Sequence, residues 1–203
     1  MKVLVVIAHP KLTNGSRVNK SLISAIKDHV STIRNLYELY PNGVFDIKKE
    51  QSLLLEHDVL VFQFPIFWYS APYLLKKYFE DILTPGFAYG GDEKDFKLKD
   101  KIFQIVVSLG ARRDSYYPLT IPQPDDESKN YIEKRLVDLF GNSLSDALFF
   151  DYEQLSSYTK MKYQHPFVVF GAPEINLPWR ITDSELNSIK SNYIELINTF
   201  HNV

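Results

Sequence analysis

The chain has 203 residues, 45% of them hydrophobic and 14% aromatic, with a net charge of −2 and a pI near 6.2. This is enough for one α/β domain with a filled core, and residues 1–203 read as a single unit. The lack of cysteine excludes disulfides, thiolate nucleophiles, iron–sulfur clusters and cysteine-zinc sites, and the near-neutral charge implies no nucleic-acid footprint.

No metal site is expected. There is no apolar run of roughly 18 residues, no signal-peptide pattern and no internal repeat.

The first element is an apolar, β-branched run from Lys2 to Ala8, a strand that ends at His9-Pro10. A polar loop follows, then Ser16-Arg17-Val18-Asn19, and apolar residues at Val18, Leu22, Ile23, Ile26 and Val30 predict a helix over 17–29. Strand, polar loop, hydroxyl and helix form the layout of an anion site, because free N–H groups and the helix dipole favour a phosphate there. The loop carries neither a dinucleotide glycine fingerprint nor a Walker motif, so a single phosphate is the natural cargo.

Further strands are expected at 32–38 and 58–64, with a short helix at 48–56 between them. The strand at 58–64 stops at Pro65 and gives way to Ile66, Phe67, Trp68 and Tyr69. Aromatic residues just beyond a buried strand present flat surfaces at the carboxyl edge of a sheet, where ligands of open α/β folds bind. Taken alone, such aromatics are more often core or interface.

A helix is expected at 71–83 and a strand at 101–108. That strand ends in Ser108-Leu109-Gly110-Ala111, where small residues let backbone donors approach a ligand. Residues 127–141 read as a helix and 145–150 as a fifth strand. The final helix, 184–200, opens with a capping box if Thr182 is its N-cap. The stretches 111–126 and 151–181 read as long loops lying at the ligand edge. Strands alternating with helices imply a doubly wound, five-stranded parallel sheet. Phosphate site, aromatic wall and backbone donors on three strand-end loops together fit a flavin mononucleotide.

These motifs, with Ala8-His9-Pro10, Leu36 to Pro41, Phe64-Pro65, Pro72, Leu75-Lys76 and Gly86 to Gly90, resemble those of the flavodoxin-like NAD(P)H:quinone oxidoreductases. The similarity is greatest to the branch of potassium-efflux ancillary flavoproteins and general-stress reductases, and it covers roughly residues 1–111. It implies a flavodoxin-like fold, bound FMN with FAD as the alternative, NAD(P)H as co-substrate and a homodimer. It also implies two-electron, ping-pong transfer to a quinone-like acceptor, an EC 1.6.5-type activity, in a cytoplasmic protein or one peripheral at the inner membrane face.

By position, the resemblance assigns the phosphate to His9, Ser16, Arg17, Val18 and Asn19. It assigns the flavin wall to Pro65, Ile66, Phe67, Trp68 and Tyr69, and the ring-edge donors to Ser108, Leu109, Gly110 and Ala111. Phe87 and Tyr89 would contribute to the acceptor pocket, and Tyr116 or Tyr117 would assist catalysis. Two other functions compete: a flavin-containing regulatory subunit partnering a membrane potassium-efflux transporter, and a flavodoxin-type electron carrier.

Overall fold

The computed structural model describes residues 1–115 and 144–201. Its strands are β1 (Val3–Ile7), β2 (Thr32–Asn35), β3 (Val59–Pro65), β4 (Ile102–Ser108), β5 (Lys162–Tyr163) and β6 (Phe167–Val169). Its helices are α1 (Arg17–Ile26), α2 (a single turn, Leu36–Leu39), α3 (Ile47–Glu56), α4 (Tyr73–Ile82), α5 (Leu144–Tyr158) and α6 (Asp183–Thr199). All strand pairs are parallel, in the order β2-β1-β3-β4-β5, with β6 also on β4. The chain moves outward from β1 to β2 and then returns to β3 on the other side of β1. That reversal is a switch point, and it opens a crevice beyond the strand ends.

The core explains why these runs became central strands. Every residue of β1 and β3 is buried, as a sheet covered by helices on both faces requires. Alternate residues divide between two clusters. Val3, Val5, Val59, Val61 and Val106 meet α1 and α6 through Leu22, Ile26, Tyr193 and Ile197. Leu4, Val6, Leu60, Phe62 and Phe64 pack on the other face with Leu54, Leu75, Tyr78 and Phe79. Three helix starts, those of α1, α3 and α6, are capped by side chains: Ser16 Oγ accepts from the Asn19 amide, and Asp46 from the Lys49 amide. Thr182 and Glu185 close the expected capping box.

Two elements are corrected. The strand expected at 32–38 stops at Asn35, and Leu36 to Leu39 turn into α2. The apolar run near 145–150 does not form a strand; it lies within α5. Its buried positions, Phe149, Tyr152 and Ser156, fall at helical spacing, a distinction that a four-residue apolar run cannot make alone. The fifth strand position lies further on, inside the stretch read as a loop, and it is interrupted. β5 pairs Ile102 and Phe103 of β4, whereas β6 pairs Val106, Val107 and Ser108. Pro166 has no N–H to continue the ladder between them. There the buried Gln104 Nε2 donates to the His165 carbonyl at 3.0 Å. The helix expected at 127–141 lies outside the described residues. No described helix is long and apolar enough to cross a membrane.

Candidate functional site

At the carboxyl ends of β1, β3 and β4 lies a cavity of about 400 Å³, within the size range of small-molecule sites. His9, Ser16, Arg17, Val18, Asn19, Pro65, Ile66, Phe67, Ser108 and Gly110 line it. The three loops singled out in the sequence therefore meet in one place. The reason is topological: β1 and β3 are direct neighbours, as are β3 and β4, so their outgoing loops share an edge.

The first loop is built around Lys11. Its carbonyl accepts from the Gly15 and Ser16 amides at 2.9 and 3.1 Å, and its own amide donates to His9 Nδ1 at 3.1 Å. That bond makes Nδ1 an acceptor and leaves the proton of the neutral imidazole on Nε2. Ser16 takes up the Asn19 amide at 3.2 Å. The preceding α1 amides, of Arg17 and Val18, are the ones a helix start leaves for an anion. The Arg17 guanidinium is engaged elsewhere: it donates to the Ile181 carbonyl at 2.8 Å and pairs with Asp183. Arg17 thus braces the 171–181 segment as well as bordering the cavity.

The second loop is a two-residue hairpin. Phe67 and Ser70 exchange both backbone hydrogen bonds, with Trp68 and Tyr69 between them at φ +49° and +64°. This is the type I′ pattern, normally given to Asn-Gly. Two bulky L-residues in left-handed conformation store strain, which tends to collect at functional sites. Phe67 lines the cavity and meets His9 edge-on, with ring centroids 6.2 Å apart. Trp68, 95% exposed, and Tyr69 occupy the hairpin tip outside the cavity lining.

The third loop differs in part from expectation. Gly110 borders the cavity, and Ser108 Oγ accepts from Asn19 Nδ2 at 2.8 Å. Leu109, however, is buried in the core, and its amide donates to the Val169 carbonyl at 2.8 Å. Just past the end of β4, it thus bonds to β6 and has no backbone donor left for a ligand. Ala111 packs against the core and gives its carbonyl to the Gly171 amide. Phe87 is also a core residue, 4% exposed, and Tyr89 packs on Tyr158 with centroids 5.5 Å apart. Neither lines this cavity. Tyr116 and Tyr117 lie outside the described residues.

Two sets of residues were missed in the sequence. Lys11, Ala172, Pro173, Glu174 and Arg180 also line the cavity. The Lys11 Nζ–Glu174 Oε1 pair, at 2.8 Å, spans two loops 163 residues apart. The expectation that 151–181 forms a loop at this edge holds only in part: Ala172 to Glu174 and Arg180 line the cavity, whereas the stretch also contains the end of α5, β5 and β6, and nothing local marked Glu174 as facing Lys11.

The second set supports the site from behind. Gln63 Nε2 donates to Asn19 O and Oδ1, both at 3.2 Å, and Tyr193 OH donates to Gln63 Oε1 at 3.2 Å. A polar residue within the apolar β3 run was the available signal. With a fully buried Gln63 and Tyr193, removing one partner strands the others, at about 1–3 kcal/mol per group. Gln63→Leu is therefore expected to lower the urea midpoint clearly. Adding Tyr193→Phe should recover part of the loss, since a hydroxyl is no longer left unpaired.

Burial lowers the pKa of His9 against a smaller upward pull from Glu174, so the ring is neutral in the fold at pH 7. The unfolded chain takes up the proton first as pH falls. The corresponding stability is complete above pH 6.5 and is lost as pH drops through the folded-state value. A ¹H–¹³C titration should place the His9 midpoint below 6.5. Wild-type protein should lose more stability than His9→Asn between pH 7.5 and 5.5; equal losses would contradict the assignment.

Comparisons with known proteins agree with this architecture. The family model described as "Flavodoxin-like fold" matches residues 1–190. A Bacillus subtilis protein called uncharacterized NAD(P)H oxidoreductase YrkL is 42% identical over 69% of this chain and 84% of its own length. The glutathione-regulated potassium-efflux system ancillary protein KefG of Pectobacterium carotovorum is 32% identical, over 84% of this chain and 82% of its own length. The crystal structure of general stress protein 14 from Treponema denticola, in complex with FMN, superposes with a TM-score of 0.73 at 28% identity. That match covers 98% of this chain and 99% of the other. With a parallel sheet in the order 2-1-3-4-5, a cavity at its switch point and a family match over nearly its whole length, the chain belongs to the flavodoxin-like fold family.

Proposed function

We propose that this protein is a flavin-dependent NAD(P)H oxidoreductase that binds FMN in the β1–β3–β4 cavity and reduces quinone-like acceptors. The observation that carries this reading is the convergence of a capped helix start, a strained aromatic hairpin and a glycine-bearing strand end on one cavity. The NAD(P)H oxidoreductase name of YrkL and the FMN of the Treponema structure support it.

The residues of the cavity suit a flavin mononucleotide. A phosphate suits the α1 start, where Ser16 fixes the first turn and leaves the Arg17 and Val18 amides to an anion. His9, neutral and with its proton on Nε2, adds a donor without a competing charge. At the other end, Gly110 borders the cavity beside Pro173, where a Cβ would lie 3.5 Å from the Pro173 backbone, and Phe67 offers an apolar wall. Trp68 and Tyr69 extend that wall if the hairpin tip folds over a ligand. When bound, FMN supplies two-electron hydride chemistry that no residue of this chain could provide. The chain's contribution is to hold the phosphate, shield the ring and admit donor and acceptor to one pocket in turn, a ping-pong order. Homodimerisation and a tyrosine from Tyr116-Tyr117 complete the proposal.

The KefG similarity favours a second reading, in which the same flavoprotein serves as the ancillary subunit of a potassium-efflux transporter.

Spectroscopy separates the readings. Purified protein should show flavin absorbance, bleach anaerobically with NADPH or NADH, and recover its colour with menadione. Bound flavin indifferent to both nicotinamides would move the assignment to the ancillary role. Protein that cannot be reconstituted with FMN or FAD would overturn both.

A further inference from the structure

An anion cavity that carries its own carboxylate is an anomaly. Glu174 lines the cavity, and its partner Lys11 belongs to the loop that leads into α1. The other cation at this helix start, Arg17, is held by the Ile181 carbonyl and by Asp183. Among the described residues, the Lys11 ammonium is held by Glu174 alone, at 2.8 Å, with both side chains more than half exposed. Exposed pairs of this kind are weak and screened by salt.

We propose that Glu174 is a resident competitor for Lys11: it holds the ammonium in the ligand-free protein and yields it to the phosphate of an incoming nucleotide, so that it sets how readily the ligand exchanges. This inference rests on the FMN reading. A phosphate monoester brings between one and two negative charges. It cannot share Lys11 with a carboxylate without like-charge repulsion. The backbone supports such an exchange. The Lys11 amide and carbonyl are fixed by His9, Gly15 and Ser16, so the side chain can swing while the loop stays in place. On the opposite side, Glu174 sits between Pro173 and the exposed Ile175, where a carboxylate can turn out to solvent at little cost. The Lys11 bond also lowers the pKa of Glu174, which keeps the competitor ionised at neutral pH. The segment stays closed at its base through Ile181 and Gly171 and through Arg17, so the pair acts as a releasable strap over a fixed frame.

The test compares wild type, Glu174→Gln and the double variant Lys11→Gln with Glu174→Gln. The probes are FMN, riboflavin and inorganic phosphate. Removing the competitor should tighten FMN about threefold to tenfold by flavin-fluorescence quenching and slow its dissociation. Riboflavin, which lacks the phosphate, should bind both proteins equally. The gain should shrink at high salt and vanish in the double variant. FMN affinity unchanged or weakened by Glu174→Gln, or an equal gain for riboflavin, would overturn the proposal. If FMN fails to bind wild type, the flavin reading falls, and inorganic phosphate still decides this one. The His9 resonances should shift at lower phosphate concentration in Glu174→Gln, and identical titrations would overturn the competition.

Discussion

Replacing Glu50 by Leu is expected to destabilise the fold by about 3–5 kcal/mol, the largest loss foreseen for any single substitution here. Glu50 is fully buried in α3. Its Oε1 pairs with Arg34 Nη2 and accepts from Tyr40 OH at 2.6 Å, and its Oε2 accepts from Tyr78 OH at 3.2 Å. Burial raises the pKa of both phenols, that of Tyr40 to about 12 with further help from Glu50, so both stay protonated donors to the carboxylate. Leucine would leave the Arg34 side chain, 11% exposed, as a buried charge without its carboxylate, donating among the described residues only to the Tyr40 hydroxyl at 3.2 Å, beside an orphaned Tyr78 hydroxyl. The damage therefore comes mainly from what remains. Pairing Glu50→Leu with Arg34→Met should restore much of the stability. Urea unfolding checks both outcomes: a single-variant loss below about 1 kcal/mol would show that water reaches the cluster. Because α3 and β2 lie away from the cavity, the surviving folded fraction should keep its ligand affinity.

The hairpin is expected to respond in the opposite sense. Substituting Trp68→Asn together with Tyr69→Gly supplies the residues a type I′ turn prefers. Relief of left-handed strain at two positions should stabilise the ligand-free protein by about 1–3 kcal/mol. The same change removes two exposed aromatic surfaces, and ring stacking contributes about 1–3 kcal/mol per ring. With one of the two rings stacking on the flavin, FMN affinity is expected to fall about tenfold to hundredfold. Thermal unfolding without flavin and fluorescence titration with it read the two effects separately. A variant both more stable and equally tight would show that the strained tip has no part in binding. The strain would then need another explanation, such as contact with a second copy of the chain.

The readable parts of this protein are those where local chemistry and tertiary structure agree. The runs at Val3–Ile7 and Val59–Pro65 are apolar on both faces, which only a sheet covered twice can accommodate. Their endings, His9 and Ser16 on one side and Pro65 to Phe67 on the other, placed most of the cavity wall because parallel neighbours deliver their loops to one edge. The cap at Thr182 was visible because capping is a contact across three residues.

What the tertiary structure alone decided was non-local. Ala147 to Phe150 carries no period long enough to separate helix from strand, and packing of Leu148 and Phe149 against the core accompanies its place in α5. The fifth strand was hidden by Pro166, and its two halves gain their identity from pairing with β4. Leu109 resembled a ligand donor until β6 claimed its amide. The Lys11–Glu174 pair, the Arg34–Glu50 cluster and the chain from Tyr193 through Gln63 to Asn19 join residues far apart in sequence. No single segment encodes such contacts. They arise when the fold brings complementary groups within hydrogen-bond reach and excludes the water that would otherwise satisfy them.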